Sequence, residues 1–575
     1  MRASISVVLF IVLSGGCSPG SNGFATATPE IPEPPAELED GFAVGEEVLC
    51  SQPTAGFVRL TETAAARGLD HVGEPAPPES CGPVPGGFVA QDLDGDGDID
   101  LAFHRRQGLP ALYENQDGRF ERRGDDQDVL GTFGRSVQSI AVIDRDGDGL
   151  PEILASGENM LLQARNLGGL EFGPWEALYF DEAYPRYCYN SMNWGDVDGD
   201  GDLDVILPGL LGLPYEGWAE ETGEAGEMAL LGSYDLLLLS EGDEMVELPS
   251  LSVTGEPALA FLAAITDRDL DGDRDVLITS DRSTLPGWPP AGFWRNDGLD
   301  SAGRPILVND APQIGMNLRL QGMGMATADF NHDGTLDYCM TDIGRVLRCM
   351  VSTSGGGYVE SALAMGLAAE LATFSPGDAE SDQWVAWSMA LVDLDNDGLR
   401  DVAVAAGPTP DGGSVSNTYA STEQPDALFA GVAPDRFEDR SVLAGFESTG
   451  MHFGMASADL DGDGYRELII GTYDGPAALW SNPCGSEAWL EVELVGPAAN
   501  REGWGARLEA RSGTWWDVQE LQNLLGVGQG PSRFHLGLGA MDSIDELRIT
   551  WPDGLSMVAY DVPTRRQLTV THPDA

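Results

Sequence analysis

Short apolar runs, bounded by Gly and Asp, recur along most of this chain. Between about residues 56 and 485 the same order appears seven times: an apolar segment, an acidic stretch, a second apolar segment. The first repeat reads "GFVAQ", acidic stretch, "IDLAFHR"; the fifth reads "GMGMATA" and "LDYCMTD"; the seventh reads "HFGMASA" and "RELIIGTYD". Runs this short, alternating or wholly apolar and closed by turn residues, predict β-strands. A third strand and a turn often follow, as in "ALYENQDGRFERR" (111–123), "GFWRNDG" (292–298) and "ALFAGVAPDRFEDR" (427–440). Four short strands per repeat, seven times over, predict an all-β fold: a seven-bladed β-propeller over 56–485, whose radial closure protects the sheet edges. An open solenoid is the rival, but no polar capping repeat is visible. Residues 487–575 lack the acidic stretches and keep strand-like runs ("AWLEVELVG", "GARLEARSG", "DELRITWPDG"), which predicts a small C-terminal β-domain.

The phase of the repeat predicts how the ring shuts. After the seventh acidic stretch, "ELIIGTYDGPAALWSN" supplies two strands before Cys484, so this repeat lacks an outer strand. Residues 57–62, in "GFVRLTETAAARGL", resemble the outer strand "DRFEDRSVLAGF" and are expected to complete it, removing an exposed edge. Cys50 and Cys484 fall near that seam; a Cys50–Cys484 bridge would contribute up to about 4–5 kcal/mol in the chain-entropy view, and Cys50–Cys81 competes with it. Cys339 and Cys349 flank a tight turn and form the other expected pair.

The acidic stretches share one grammar, Asp-x-Asp-x-Asp-Gly-x-x-Asp/Glu. Positions 1, 3, 5 and 9 hold Asp92, Asp94, Asp96 and Asp100 in loop 1; Asp144, Asp146, Asp148 and Glu152 in loop 2; Asp196, Asp198, Asp200 and Asp204 in loop 3. Loop 4 has Asp267, Asp269, Asp271 and Asp275; loop 5 has Asp329, Asn331, Asp333 and Asp337. Loop 6 has Asp393, Asp395, Asp397 and Asp401; loop 7 has Asp459, Asp461, Asp463 and Glu467. Carboxylates two residues apart, then a fourth four further on, wrap an ion from successive directions, and Gly at position 6 allows the sharp turn. At an effective dielectric of 20, two such charges ~4 Å apart repel by about 4 kcal/mol, so the pattern calls for a counter-charge. All-oxygen ligands on a pliant loop suit Ca²⁺ better than Mg²⁺, giving up to seven calcium sites. The EF-hand is disfavoured, because its Glu at position 12 is missing and strands flank the loops. The alternative is that the Asp side chains only hydrogen-bond their own turns. Arg274, inside loop 4, and Asn331 depart from the pattern.

Composition narrows the function. The formal net charge is -63, with 31 basic and 94 acidic residues and no lysine, which excludes lysine Schiff-base and P-loop chemistry and argues against nucleic acid as a partner. At the N-terminus Arg2, an apolar run from Ile5 to Leu13 and small residues precede Cys17, the pattern of a bacterial lipoprotein signal (1–17) with Cys17 lipidated; Leu13 sits one place further from the cysteine than usual. Residues 18–55, rich in Pro, Ala and Glu, read as a disordered tether. The expected location is the bacterial cell envelope, as an outer-membrane or cell-surface lipoprotein, touching membrane only through its anchor. The six other cysteines suit disulfides in an exported protein. No HExxH, GxSxG, phosphate loop or Cys–His nucleophile pattern is present, so no catalytic residues are assigned. Arg123-Gly124-Asp125 is read as a chance tripeptide, and tryptophans such as Trp384, Trp387, Trp515 and Trp516 as packing residues with sugar stacking as the alternative.

The loops resemble FG-GAP/VCBS-type repeats, known from integrin α-subunit propellers and many secreted bacterial proteins; "FGMASADLDGDG" (453–464) carries both the Phe-Gly start and the cation loop. "GWGARLEARSG" (503–513), "HLGLG" (535–539) and "ITWPDG" (549–554) resemble the ASPIC/UnbV domain. The whole of 56–575 is similar to the cartilage acidic protein family and its bacterial relatives. That resemblance implies a calcium-binding extracellular interaction protein, and the expected function is binding to protein, glycan or matrix at the cell surface. A calcium-dependent lectin and, further off, a polysaccharide-degrading enzyme are the alternatives.

Overall fold

Each acidic loop ends one β-strand and begins the next. Loop 1 joins Phe88–Gln91 to Asp100–Phe103, and in all seven repeats position 9 is the first residue of the second strand. The computed structural model describes residues 40–54, 59–73, 87–105, 108–123, 135, 137–182, 186–213, 233–242, 244–248, 258–281, 283–284, 288–344, 346–369, 384–408, 424–523 and 526–575. Signal and lipidation calls at 1–17, the tether to residue 39, Cys81, Gly124 and Asp125 lie outside them.

The fold is nearly all β. Among the described residues, seven sheets carry the loops on consecutive antiparallel strands, beginning with Phe88–Gln91, Val137–Ile143, Asn193–Gly195, Ala260–Thr266, Met325–Ala328, Ala386–Val392 and His452–Ala458. We number the sheets 1 to 7 in that order. First and second strands are buried along their whole length, as in "VQSIAVI" and "EILASG", which explains their unbroken apolar character. Fourth strands alternate, as in Pro305–Asn309, because one face meets solvent.

Apolar clusters join neighbouring sheets. Val142 and Ile153 of sheet 2 pack with Val89 and Ala102 of sheet 1; Ile265 of sheet 4 packs with Ile206 of sheet 3. Sheets 2 and 3, 4 and 5, 5 and 6, and 6 and 7 share clusters in the same way. Another sets Ile469 and Leu479 of sheet 7 against Phe88 and Leu101 of sheet 1. Sheet 7 takes its fourth strand from the other end of the chain: Thr61 and Glu62 pair with Ser481 and Trp480, within the segment the repeat phase singled out. Cys50 and Cys484 are bonded across a separation of 434 residues, and Cys339 and Cys349 are bonded as direct partners on adjacent strands.

The C-terminal residues supply three strands of one four-stranded sheet and all four of another. One joins Ala488–Val495, Arg533–Gly539 and Arg566–Thr571; the other joins Arg507–Ser512, Trp515–Glu520, Ser543–Thr550 and Ser556–Pro563. Trp551-Pro552-Asp553-Gly554 is the turn of a hairpin: the Trp551 N–H donates to Leu555 O (2.8 Å) and the Gly554 N–H to Trp551 O (2.9 Å). The tether expectation fails for its last third. Phe42–Val44 is an edge strand paired with Leu568–Val570, and the Val48 and Thr54 N–H groups bond to Arg565 O and Cys484 O. Apolar Phe42 and its neighbours find a sheet edge there, which a composition reading could not show.

Candidate functional site

All seven loops fold alike, and backbone donors hold their carboxylates. The position 1 carboxylate accepts the N–H of the Gly at position 6 in every loop, from Gly97 to Asp92 (2.9 Å) through to Gly464 to Asp459 (2.8 Å). The position 5 carboxylate accepts the N–H of position 7, as in Leu399 to Asp397 (2.8 Å). The position 9 carboxylate accepts the N–H of position 2, from 2.8 Å (Val197 to Asp204) to 3.3 Å (Arg268 to Asp275). Its other oxygen takes an N–H from the third strand, as in Asn115 to Asp100 (2.8 Å) and Ser240 to Asp204 (2.9 Å). Position 9 therefore ties its loop to the sheet, a task the sequence reading did not assign. Position 4 is left-handed in every loop, including Leu270 (φ 61), His332 (φ 54) and Asn396 (φ 55), so the sharp turn uses positions 4 and 6, not 6 alone.

The Asp side chains do cap their own turns, yet they also converge. One oxygen each from Asp92, Asp94 and Asp96 lie within 4.8 Å of one another, and so do those of Asp144, Asp146 and Glu152, of Asp196, Asp198 and Asp204, of Asp267, Asp269 and Asp271, and of Asp393, Asp395 and Asp401. Such clusters could hold a metal ion. Burial pushes Asp100, Glu152 and Asp275 up to about 7 and Asp204 up to about 8, against backbone hydrogen bonds that pull them down. Fully enclosed Asp401 and Glu467 rise well above the carboxylate range for the same reason.

Protein cations distinguish two loops. In loop 4, Arg268 pairs with Asp269 (3.3 Å), Asp275 (3.6 Å) and Asp310 (3.1 Å), and Arg274 turns to Glu520 (3.2 Å). In loop 7, Arg67 from the N-terminal segment pairs with buried Glu467 (3.1 Å) and lies 3.9 Å from Asp461. The sequence reading marked Arg274 and missed Arg268 and Arg67.

A recurring asparagine, also missed, stitches neighbouring loops. The Asn115 carboxamide donates to Ile99 O (3.1 Å) at position 8 of its own loop and to Leu460 O (2.9 Å) at position 2 of loop 7. Asn166 bridges Pro151 to Leu93, Asn296 bridges Arg274 to Val197, and Asn482 bridges Arg466 to Leu394. The signal was present as an Asn at the end of third strands in "ENQDG", "RNLGG", "RNDG" and "WSNP".

The C-terminal sheets cover the loops. The Trp489 indole lies where a Gly464 side chain would be, and Trp515 and Trp516 lie against Gly398 and Gly334, all position 6 glycines. Gly537 sits where any side chain would collide with the Asp393 carboxylate, and the Gly539 N–H donates to Asn396 O (2.7 Å). Beyond them, residues 519–523 and 526–534 run among the first strands. The Asn523 carboxamide pairs with the Trp194 N–H and C=O (3.1 and 2.7 Å), and that of Gln529 with those of Val142 (both 2.9 Å). Gly528–Gln529 pairs in parallel with Phe88–Val89. These amides satisfy inner strand edges that would otherwise be unpaired. The side that carries the acidic loops is thus largely occupied by the chain itself.

The FG-GAP-like repeat family matches residues 92–155 and 144–207, and the ASPIC and UnbV family matches residues 496–575. The chain thus carries FG-GAP-like repeats followed by a C-terminal ASPIC/UnbV domain. No curated protein matches. Among solved structures, an Agrocybe aegerita lectin that recognises non-reducing terminal N-acetylglucosamine aligns at 16% identity over 68% of this chain and 90% of its own, with a TM-score of 0.37. Saccharomyces cerevisiae Sqt1 aligns at 10% over 86% and 99% (TM-score 0.35), and the Bacillus licheniformis rhamnogalacturonan lyase PL11 at 13% over 86% and 91% (TM-score 0.32). Likeness at this level carries no functional weight. Among the described residues no helix is long and apolar enough to cross a membrane, and the disulfides are compatible with an extracellular protein.

Proposed function

We propose that this protein is a calcium-braced β-propeller of seven blades that binds other molecules outside the cytoplasm, tethered by a lipid on Cys17, and does no chemistry of its own. The single observation that carries the reading is the repetition of one carboxylate arrangement in loops that neighbouring sheets stitch together, including Asn115 of sheet 1 to loop 7. A repeated charge cluster wedged between blades is a brace: the ion neutralises the loop, and the loop fixes the strands on either side. Ca²⁺ fits the donor set, since loops 1, 2, 3, 4 and 6 each bring together oxygens of three carboxylates. Positions 1, 3, 5 and 9 would hold it. The remaining faces and rim of the propeller are the surfaces left for a protein or matrix partner. The test is to count metal by elemental analysis of protein dialysed against micromolar calcium, then capture partners from envelope extracts with and without chelator. Several calcium ions per chain and a calcium-dependent partner support the reading; a metal-free protein overturns it.

A second reading, glycan binding, has one observation in its favour. A cavity of about 90 Å³ between loops 5 and 6 and the C-terminal sheets is lined by Trp515, Trp516, Gln519 and the Arg400–Asp517 pair (2.5 Å). Aromatic faces beside a charged fork are the chemistry that grips a sugar ring. Glycan-array binding abolished by Trp515→Ala would establish it. Release of unsaturated ends from acidic polysaccharides would instead move the protein among the enzymes.

A further inference from the structure

We infer that the C-terminal sheets are a metal-latched cap: cations in the acidic loops hold the cap down, and their loss lets it lift and draw residues 526–534 out from among the first strands. This rests on the calcium reading above and adds a consequence that reading does not contain.

Two kinds of contact carry it. The first is shape. Cap donors read the position 6 carbonyl of four loops: Arg533 to Gly97 O (3.5 Å), Arg507 to Gly334 O (2.5 Å), Trp515 to Gly398 O (3.5 Å) and His535 Nε2 at 3.3 Å from Gly464 O. The orientation of that carbonyl follows the turn at positions 4 to 6, the part of the loop that folds around the ion. A loop that loses its ion loses the turn the cap recognises.

The second is charge. Glu502 of the cap is buried, with 7% of its surface exposed; one oxygen accepts the Asp144 N–H (2.6 Å) and the other has no partner. The buried carboxylates of loop 2, Asp144 and Glu152, repel its charge. Three buried acids facing one another oppose docking unless a cation sits among them. Glu520 does the same at loop 4, accepting the Asp267 N–H (3.0 Å), but there Arg274 supplies the counter-charge at 3.2 Å. At loop 2 exposed Arg165 lies 3.5 Å from Asp146, and the Arg145 guanidinium donates to Gly242 O (3.2 Å) and Gln163 (3.5 Å). The cap thus presses a negative group onto a negative loop, an arrangement that is stable when the loop is loaded.

Hydrogen exchange on the full chain tests this, with elemental analysis on the same samples. On chelation, amides of residues 526–539 should exchange about tenfold faster or more, and by a factor at least about threefold larger than the change in those of Glu467–Thr472, because the cap opens before the blades do. In Glu502→Gln, which keeps an acceptor for the Asp144 N–H but removes the charge, the tenfold change should shrink by about threefold or more. If metal is bound and removed yet 526–539 stay protected, the latch is wrong and the calcium reading stands. If both segments lose protection together, the cap is no separate device and the inference also falls. If no metal is found at all, the calcium reading itself has failed.

Discussion

Loops 3 and 4 follow one sequence grammar and solve the same electrostatic problem differently. In loop 3, Asp196, Asp198 and Asp204 converge, and the guanidinium acting on them is Arg274 of loop 4, which pulls on Asp196 without a close ion pair among the described residues. Burial lifts Asp198 to about 6 and Asp204 to about 8; it also lifts Asp275 of loop 4 to about 7, but there Arg268 pulls the other way. In loop 4, Arg268 sits among Asp269, Asp275 and Asp310, and Arg274 and Glu520 close the other side. A guanidinium partly does there what an ion would do in loop 3. The comparison teaches that an Asp-rich loop is not by itself proof of a metal; the residues at positions 2 and 8, which the motif leaves free, decide how far a site depends on one.

The largest effect that can sharpen the contrast is at Arg268. Replacing it by Met should cost about 3 kcal/mol in chelator, since it strands buried carboxylates, and excess calcium should restore much of that. Chemical denaturation in both conditions measures it; equal losses with and without calcium would say that loop 4 takes no ion. Next comes Asp198→Asn in loop 3. It should lower the calcium count by about one and stability by about 1–2 kcal/mol in calcium only, and the same change at Asp269 should matter less. Smallest is Leu270→Gly. Leu270 is left-handed at position 4, where loops 1, 2, 3 and 7 use Gly, so the change should stabilise the protein by about 1 kcal/mol regardless of metal.

Acidity supplies an independent check. The position 9 carboxylates are raised in the folded chain by burial, so the metal-free folded state binds more protons than the unfolded one. The stability these groups confer should therefore be greatest below about pH 4, where both states are protonated, fall as pH rises from about 4 to 7–8, and level off once Asp100, Glu152, Asp275 and Asp204 ionise in the folded chain. Calcium should flatten or reverse that slope. Melting temperatures in chelator at pH 5.5 and 8 would show it, and a rise with pH would contradict the assignment.

Much of this was legible in the sequence because repetition multiplies a weak local signal. The acidic loops, their flanking strands and the strand near residues 57–62 follow from spacing and from the missing outer strand of repeat 7. What escaped depends on contacts between distant residues. Arg67 reaches Glu467 across 400 positions, and Asn115 reaches Leu460 across 345; neither has a local pattern that names its partner. The glycines of "HLGLG" could be matched to a family from the sequence. Only the structure shows that Gly537 is small because Asp393 lies against it. The tether was misjudged because Phe42–Val44 is too short for its pattern to outweigh the Pro-rich stretch before it.

The most direct measurement is anomalous diffraction from crystals grown in calcium. The account predicts peaks inside the loops, between the carboxylates of positions 1, 3 and 5 or 9, strong in loop 3 and weakest in loop 4. Loops without peaks, or a strongest peak beside Arg268, would contradict it.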